Sequence, residues 1–112
     1  MAAEKLELLV LKTIALEPLH GYGIARRIEQ VSNGVFKVTL GSLYPALQRL
    51  EKDGLVEAEW KASENGRRAR YYRITASGRR RLSAEQKDWE RVSAAVARIL
   101  KATCRSCHWR SQ

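Results

Sequence analysis

The chain has 112 residues, of which 45% are hydrophobic and 29% charged, and its formal net charge at pH 7 is +9. These values are typical of one small globular domain. No apolar run approaches the roughly 20 residues of a membrane span, and the first residues lack the basic segment of a secretory signal. We therefore expect a cytoplasmic protein that does not bind membranes.

Hydrophobic periodicity predicts two helices in the first third of the chain. Residues 4–16 carry apolar side chains around nearly the whole helix circumference, so this helix should be buried on more than one side. A second helix is expected over 22–31, with Ile24, Ile28 and Val31 on its apolar side.

Two shorter features belong to the same region. His20 is interpreted as a helix-start or packing residue rather than a catalytic base. The segment 36–38 is expected to form a short strand that pairs with a later hairpin.

A third helix is predicted over residues 39–53. Its apolar residues recur at i, i+4 and i+7, as Leu43, Leu47 and Leu50, which places one narrow stripe on a 3.6-residue period. Thr39 or Ser42 can cap its start. If Ser42 is the cap, Pro45 falls in the first turn, where a missing N–H costs little.

The face opposite the leucine stripe is polar, with no acidic residue at its centre. Gln and Arg side chains hydrogen-bond base edges, whereas Ser, Tyr and Lys suit phosphate oxygens. An ordinary solvated helix face is the alternative interpretation. The candidate DNA contacts in and beside this helix are Lys37, Ser42, Tyr44, Gln48, Arg49 and Lys52.

A hairpin follows the third helix directly. Residues 55–60 and 70–75 are short strand-like runs, and Asn65-Gly66 between them is a strong turn signal. The net charge is −1 over residues 1–60, +7 over 61–81 and +3 over 82–112. Such a concentration of positive charge favours contact with a phosphate backbone. The candidate contacts here are Arg67, Arg68 and Arg70.

Three motifs resemble those of the PadR-type winged-helix transcriptional regulators: HGYGI at 20–24, GSLYPALQRLEKDGLVEAEW at 41–60 and GRRARYYRIT at 66–75. They occur in the family's order and spacing, and the resemblance extends from residue 6 to about residue 100. It implies a DNA-binding repressor, usually homodimeric, with a C-terminal dimerisation helix and often a small-molecule inducer.

The expected fold is mainly α with a small β-wing (α+β). A winged helix-turn-helix domain over residues 1–75 is followed by a long dimerisation helix over 76–103. The steps between its apolar residues alternate between three and four, as in a seam against another helix, although Glu85 interrupts them. Packing back on its own domain is the alternative. The candidate dimerisation residues are Leu82, Val92, Val96 and Ile99.

Trp89 lies on the same seam, where a tryptophan is most often core. In some relatives an aromatic residue at the corresponding place lines a cavity between subunits and stacks on planar ligands. The resemblance therefore suggests an effector pocket for a small planar or aromatic compound. Its candidate residues are Leu8, Trp89, Val92 and Val96.

The tail over 104–112 is expected to be disordered. Cys104, Cys107 and His108 match the CxxCH haem-attachment motif, but covalent attachment takes place outside the cytoplasm. A zinc site needs more ligands than these three. A redox or metal response through the two cysteines stays an alternative, and we expect no metal and no cofactor.

The sequence contains no paired-carboxylate site, nucleophile elbow or complete dinucleotide-binding glycine pattern, so we do not expect an enzyme. The interpretation with most support is a homodimeric repressor that binds double-stranded operator DNA and is released by an effector. A constitutive DNA-binding module without a ligand is the other alternative.

Overall fold

The computed structural model describes residues 3–63 and 65–102. In these ranges four helices and three strands follow one another along the chain. Their bounds are α1 Ala3–Leu16, β1 Leu19–His20, α2 Gly21–Val31, α3 Leu40–Lys52, β2 Val56–Ala62, β3 Arg68–Ile74 and α4 Ala76–Leu100. This is a winged helix with a long C-terminal helix, which confirms the predicted fold class.

The core lies between the first three helices and the base of the hairpin. Leu43, Leu47 and Leu50 of α3 are each at most 1% exposed, so the predicted stripe is the buried face of the helix. Burying each of these side chains contributes roughly 1.5–3 kcal/mol. The facing helices supply the equally buried side chains Val10, Leu11, Ile14 and Ile24.

The N-cap of α3 is Thr39, whose Oγ1 accepts a hydrogen bond of 3.2 Å from the amide of Ser42. Pro45 is therefore the sixth residue of the helix, and the alternative that places it in the first turn is wrong. Because proline has no N–H, the carbonyl of Gly41 lacks its usual donor four residues later.

The three strands form one antiparallel sheet in the order β1–β3–β2. The turn at its tip has the predicted Gly66 at a φ of +82°, and the Gly66 amide donates to the Ser63 carbonyl at 3.0 Å. The third strand is Leu19–His20, which pairs with Tyr72 and Tyr71.

The strand expected over 36–38 is wrong. The amides of Val35 and Phe36 donate to the carbonyl and the hydroxyl of Ser32, each at 3.1 Å, which holds this segment in the turn after α2. The placement of Val31 on the buried side of α2 is also wrong, since it is 74% exposed. It is the last residue of the helix, and the chain then reverses with a φ of +55° at Asn33.

α4 is fixed to the winged domain at its first turn. Thr75 caps it, with Oγ1 accepting from the Gly78 amide at 3.0 Å and donating to the Gly54 carbonyl at 2.7 Å. A Cβ atom on Gly78 would overlap the carbonyl oxygen of Leu55, so the two backbones are in direct contact. Leu82, one turn further along, is still buried in the chain's own core.

None of the helices in the described ranges combines the length and the apolarity needed to cross a membrane. The predictions for Cys104, Cys107 and His108, and for the tail in general, lie outside the described residues.

Candidate nucleic-acid interface

One face of the hairpin is buried in the core at its base and lines an open cleft further out. At its base Val56 and Tyr72 are buried. Because side chains alternate along a strand, the same face further out carries Trp60, Arg70 and Arg68. The hairpin therefore presents an aromatic ring and two guanidinium groups where the core ends.

This face of the hairpin, together with α2 and α3, encloses a cleft of about 1190 Å³. α3 contributes Tyr44 and Gln48, which are exposed on the side opposite its buried leucines. The cleft is thus bordered by the polar face of one helix and by the basic side of the hairpin. Its remaining cationic and aromatic lining includes His20, Tyr22, Arg26, Arg27, Trp60, Arg67, Arg68, Arg70 and Tyr72.

Five of the nine predicted DNA contacts line this cleft: Tyr44, Gln48, Arg67, Arg68 and Arg70. Three others are exposed and do not line the cleft. Lys37 precedes α3, Lys52 is its last residue, and Ser42 lies in its first turn. The Ser42 hydroxyl accepts a hydrogen bond of 3.2 Å from Thr39 Oγ1.

The ninth predicted contact, Arg49, points elsewhere. Its Nε donates to Glu7 Oε2 of α1 at 2.8 Å, and the arginine side chain is 48% exposed. The structure therefore joins Arg49 to α1 and does not bring it into the cleft. An ion pair this exposed contributes at most about 1 kcal/mol.

Arg70 is in ionic contact with α3, since its Nη2 lies 2.8 Å from Glu51 Oε2. Its guanidinium carbon also lies 5.8 Å from the centre of the Trp60 ring, and that of Arg68 lies 5.7 Å from the same ring. Both distances fall within the range of cation–π attraction.

Tyr72 lies at the floor of the cleft. Burial raises the pKa of its hydroxyl above the ordinary value, although the nearby positive charge of Arg70 acts in the opposite direction. The hydroxyl is therefore protonated at neutral pH, and the cleft floor adds no negative charge that would repel phosphate.

His20 is confirmed as a helix-start residue. Its Nδ1 accepts a hydrogen bond of 3.0 Å from the Gly23 amide, which caps α2. Its ring meets Tyr71 edge-on, with 5.2 Å between the ring centres. The residue thus holds α2 against the sheet.

Among the cleft residues that sequence reasoning missed are Tyr22, Arg26 and Trp60. The first two are a helical i, i+4 pair in which Arg26 Nη1 donates to the Tyr22 hydroxyl at 3.3 Å. That spacing was the available signal for them. Trp60 is 55% exposed and ends a run read only as a strand.

The basic segment 61–81 divides between two elements. Lys61, Arg67, Arg68, Arg70 and Arg73 belong to the hairpin. The remaining three arginines, at positions 79–81, are on the first turns of α4. The excess positive charge is therefore only partly on the wing.

The candidate effector residues form part of a largely exposed apolar stripe. Trp89 is 45% exposed, Val92 37% and Val96 47%. Lys5 Nζ of α1 lies 4.9 Å from the centre of the Trp89 ring, and Leu8 packs half-buried against the core. The stripe continues along α4 with Ile99, which is 72% exposed.

The chain is similar to a family of transcriptional regulators and to a solved structure of such a regulator. A family described as "Transcriptional regulator PadR-like family" matches residues 10–84. The crystal structure of a PadR-like transcriptional regulator (BC4206) from Bacillus cereus strain ATCC 14579 superposes with a TM-score of 0.79 at 32% identity, over 89% of this chain and 95% of that one.

Two curated relatives are similar in sequence, and one of them is named as a transcriptional regulator. "Uncharacterized protein X" of Lysinibacillus sphaericus is 33% identical over 91 residues, which are 81% of this chain and 84% of that protein. "Transcriptional regulator Rv3488" of Mycobacterium tuberculosis is 37% identical over 68 residues, which are 61% of this chain and 63% of that protein.

Proposed function

The chain belongs to the PadR-like family of transcriptional regulators, and we propose that it acts as a homodimeric repressor released from its operator by a small-molecule effector. Membership of this family makes it a DNA-binding regulator rather than an enzyme. Because a regulator of this kind works on DNA, its proposed location is the cytoplasm.

In this proposal α3 enters the major groove. With 13 residues it is about 20 Å long, which suits a recognition helix. Gln48 and Tyr44, exposed near its centre, reach base edges or the adjacent backbone. Ser42, Lys37 and Lys52, at or near the two ends of the helix, contact phosphates.

The wing grips the neighbouring backbone through Arg67 and Arg68. The observation that carries the proposal is the cleft itself, in which the exposed face of α3 and the arginines of the hairpin border one space. A solvated helix face alone does not require a second basic element beside it. A DNA duplex does, since its phosphates flank the groove that the helix occupies.

Dimerisation through α4 is supported by its uncovered apolar stripe, formed by Trp89, Val92, Val96 and Ile99. Leu82 is already covered by the chain's own core, so the proposed interface begins beyond it. A two-fold dimer would present two α3 helices to half-sites about 34 Å apart.

The effector is proposed to bind beside Trp89, between Leu8, Val92 and Val96 of the two protomers. A planar aromatic compound would stack on the indole ring. Its binding would change the angle between the two winged domains, so that the two α3 helices no longer match their half-sites.

The decisive experiment measures fluorescence anisotropy on the DNA upstream of the protein's own gene and on a scrambled duplex. If some 6–10 phosphates are neutralised, affinity should fall by roughly 10³–10⁵ between 50 and 200 mM salt. Selective binding with this steep dependence supports the proposal. Equal weak binding to both duplexes, repeated on a genomic fragment library, would overturn selective repression.

The effector is tested separately by the fluorescence of Trp89 after Trp60 and Trp109 are replaced by Phe. Planar aromatic compounds should quench this fluorescence, and at the same concentrations they should release DNA from the natural protein. If none of these compounds changes the fluorescence, the effector site beside Trp89 is excluded and a constitutive regulator is the remaining interpretation.

A further inference from the structure

We propose that Arg70 is a positioning residue that braces the wing against α3 and so sets the width of the DNA-binding cleft. Glu51 is its anchor on the helix, and Trp60 supports it from the hairpin. This inference rests on the proposed DNA-binding function, and it assigns Arg70 a role different from the phosphate contact expected from the sequence.

The ion pair between Arg70 and Glu51 joins α3 to the second strand of the hairpin, two elements that are separated along the chain by β2. Nη2 and Oε2 are 2.8 Å apart, a short charge-assisted hydrogen bond, and each side chain is 37% exposed. Glu51 lies in the last turn of α3, and Arg70 lies within β3. The pair therefore connects the end of the helix to the hairpin across the cleft that both residues line.

Trp60 restricts the arginine from the second side. It is the register partner of Arg70 on the neighbouring strand, and 5.8 Å separates the guanidinium carbon from the ring centre. Contacts with a carboxylate and an aromatic ring favour one orientation of the arginine side chain in the free protein. We therefore expect Arg70 to link the hairpin to α3 rather than to bind a DNA phosphate.

Charge gives an independent argument for the brace. Glu51 is a carboxylate in a cleft that is proposed to face DNA, where an unpaired negative charge would repel phosphates. Arg70 neutralises it, so the pair adds no net positive charge to the interface. Arg67 and Arg68 make no ion pair with any described residue, and their charge is available for the backbone.

The cleft needs such a brace because its two sides are joined by a short glycine turn. α3 ends at Lys52, and β2 begins at Val56 after Gly54, which has a φ of +74°. The hairpin then extends well beyond the core, to Ala62 and Arg68. A contact between the helix and the outer part of the hairpin limits the bending of that extension.

The first test measures operator affinity for R70E, E51R and the charge-swapped double variant E51R/R70E. R70E should weaken binding by about fivefold or more, because it places two carboxylates face to face. E51R alone adds positive charge near the DNA and shows what that charge contributes by itself. The swap should recover most of this loss because it restores the pair in reverse. The matched control is R68E, which E51R should not rescue. A swap that binds no better than R70E would overturn the proposal.

The salt dependence separates a brace from a phosphate contact. E51Q/R70Q keeps the net charge of the natural pair, so the slope of log K against log salt should stay unchanged. By contrast, R68Q should reduce the slope by about 0.9. A reduction of that size in E51Q/R70Q would show that Arg70 neutralises a phosphate, and the brace would be wrong.

A measurement without DNA keeps this inference distinct from the proposed function. Amide hydrogen exchange in the outer hairpin, over residues 60–62 and 68–70, should accelerate by about fivefold in R70E and return in the charge-swapped variant. The R68E control should stay within about twofold of the natural protein. Unchanged exchange in R70E overturns the brace even if the protein binds its operator. Failure of the natural protein to bind DNA selectively overturns the proposed function, while exchange still decides the brace.

Discussion

The Tyr44 side chain of α3 rests directly on Gly21, the first residue of α2. Its hydroxyl oxygen lies 2.8 Å, and its two nearest ring carbons 3.0 Å, from the place that a Cβ atom on Gly21 would occupy. Only a hydrogen fits there without movement of the ring. The direction of one candidate DNA contact is therefore fixed by the absence of a side chain on the neighbouring helix.

Replacing Gly21 by Ala should displace the Tyr44 ring from this position. The ring is 43% exposed and free to move outward, so the unfolding free energy should change by less than about 1 kcal/mol. Operator affinity should fall by about tenfold, because the displaced Tyr44 hydroxyl would lose one hydrogen bond to a charged phosphate. Anisotropy titration measures this. In a Tyr44→Ala background the same substitution should have no further effect on affinity.

Removing Arg67 and Arg68 together by alanine substitution should weaken binding to operator and scrambled DNA alike. Both side chains are exposed at the hairpin tip, so the melting temperature should hardly change. The slope of log K against log salt should decrease by about 2, at roughly 0.9 per phosphate contact. Arg73→Ala is the control, because Arg73 is on the opposite face of β3 and pairs with Glu57 at 3.0 Å. An unchanged slope in the double variant would remove the wing from the interface.

Gln48→Ala should alter sequence preference more than overall affinity. A side chain that reads a base edge by paired hydrogen bonds contributes about 1–3 kcal/mol of discrimination, or roughly 5- to 150-fold. The ratio of operator to scrambled affinity should fall by a factor in this range. Lys52→Ala should instead weaken both affinities equally. Equal losses for the two variants would mean that Gln48 only contacts the backbone.

Val96→Glu should convert the protein to a monomer. The substitution places a charge in the middle of the exposed stripe on α4, where the proposed partner helix packs. Light scattering should give half the mass of the natural protein. Operator affinity should also fall, because a monomer contacts only one half-site. Ala94→Glu, on the other side of the same helix, should leave the mass unchanged. A Val96→Glu protein of unaltered mass would exclude this part of α4 from the interface.

Gly78→Ala should destabilise the fold. The added methyl group would collide with the backbone carbonyl of Leu55, which cannot move without disturbing the turn before β2. We expect a loss of about 1–3 kcal/mol in the unfolding free energy, measured by chemical denaturation. Ser83→Ala, at an exposed position of the same helix, should change it by no more than about 0.5 kcal/mol. Equal stability of the two variants would contradict the close approach.

The sequence predicted the long elements because each carries a repeating signal. The stripe of Leu43, Leu47 and Leu50 has enough members to show its period, and it is the buried face. Leu19–His20 has only two residues, too few for any period, and it was missed as the third strand. Phe36 and Val38 have the apolar alternation of such a strand, but a turn hydrogen bond to the Ser32 hydroxyl occupies the Phe36 amide.

The sequence predicted which residue types form the site, but it did not predict where their side chains point. Arg49 and Arg70 were grouped with Arg67 because all are basic and near α3 or the hairpin. Their partners, Glu7 and Glu51, are 42 and 19 residues away in sequence, and only the packed fold brings the pairs together. Which arginine is engaged and which is available is therefore a property of the tertiary structure.

The junction at Thr75 has a mechanical consequence for α4. The Thr75 amide donates to the Leu55 carbonyl at 3.0 Å, and its hydroxyl joins the Gly54 carbonyl to the first turn of the helix. α4 therefore cannot rotate at its first turn without breaking hydrogen bonds to two adjacent residues of the turn that follows α3. A torque applied to the far end of α4, about 37 Å away, is therefore transmitted to the turn that joins α3 to the hairpin.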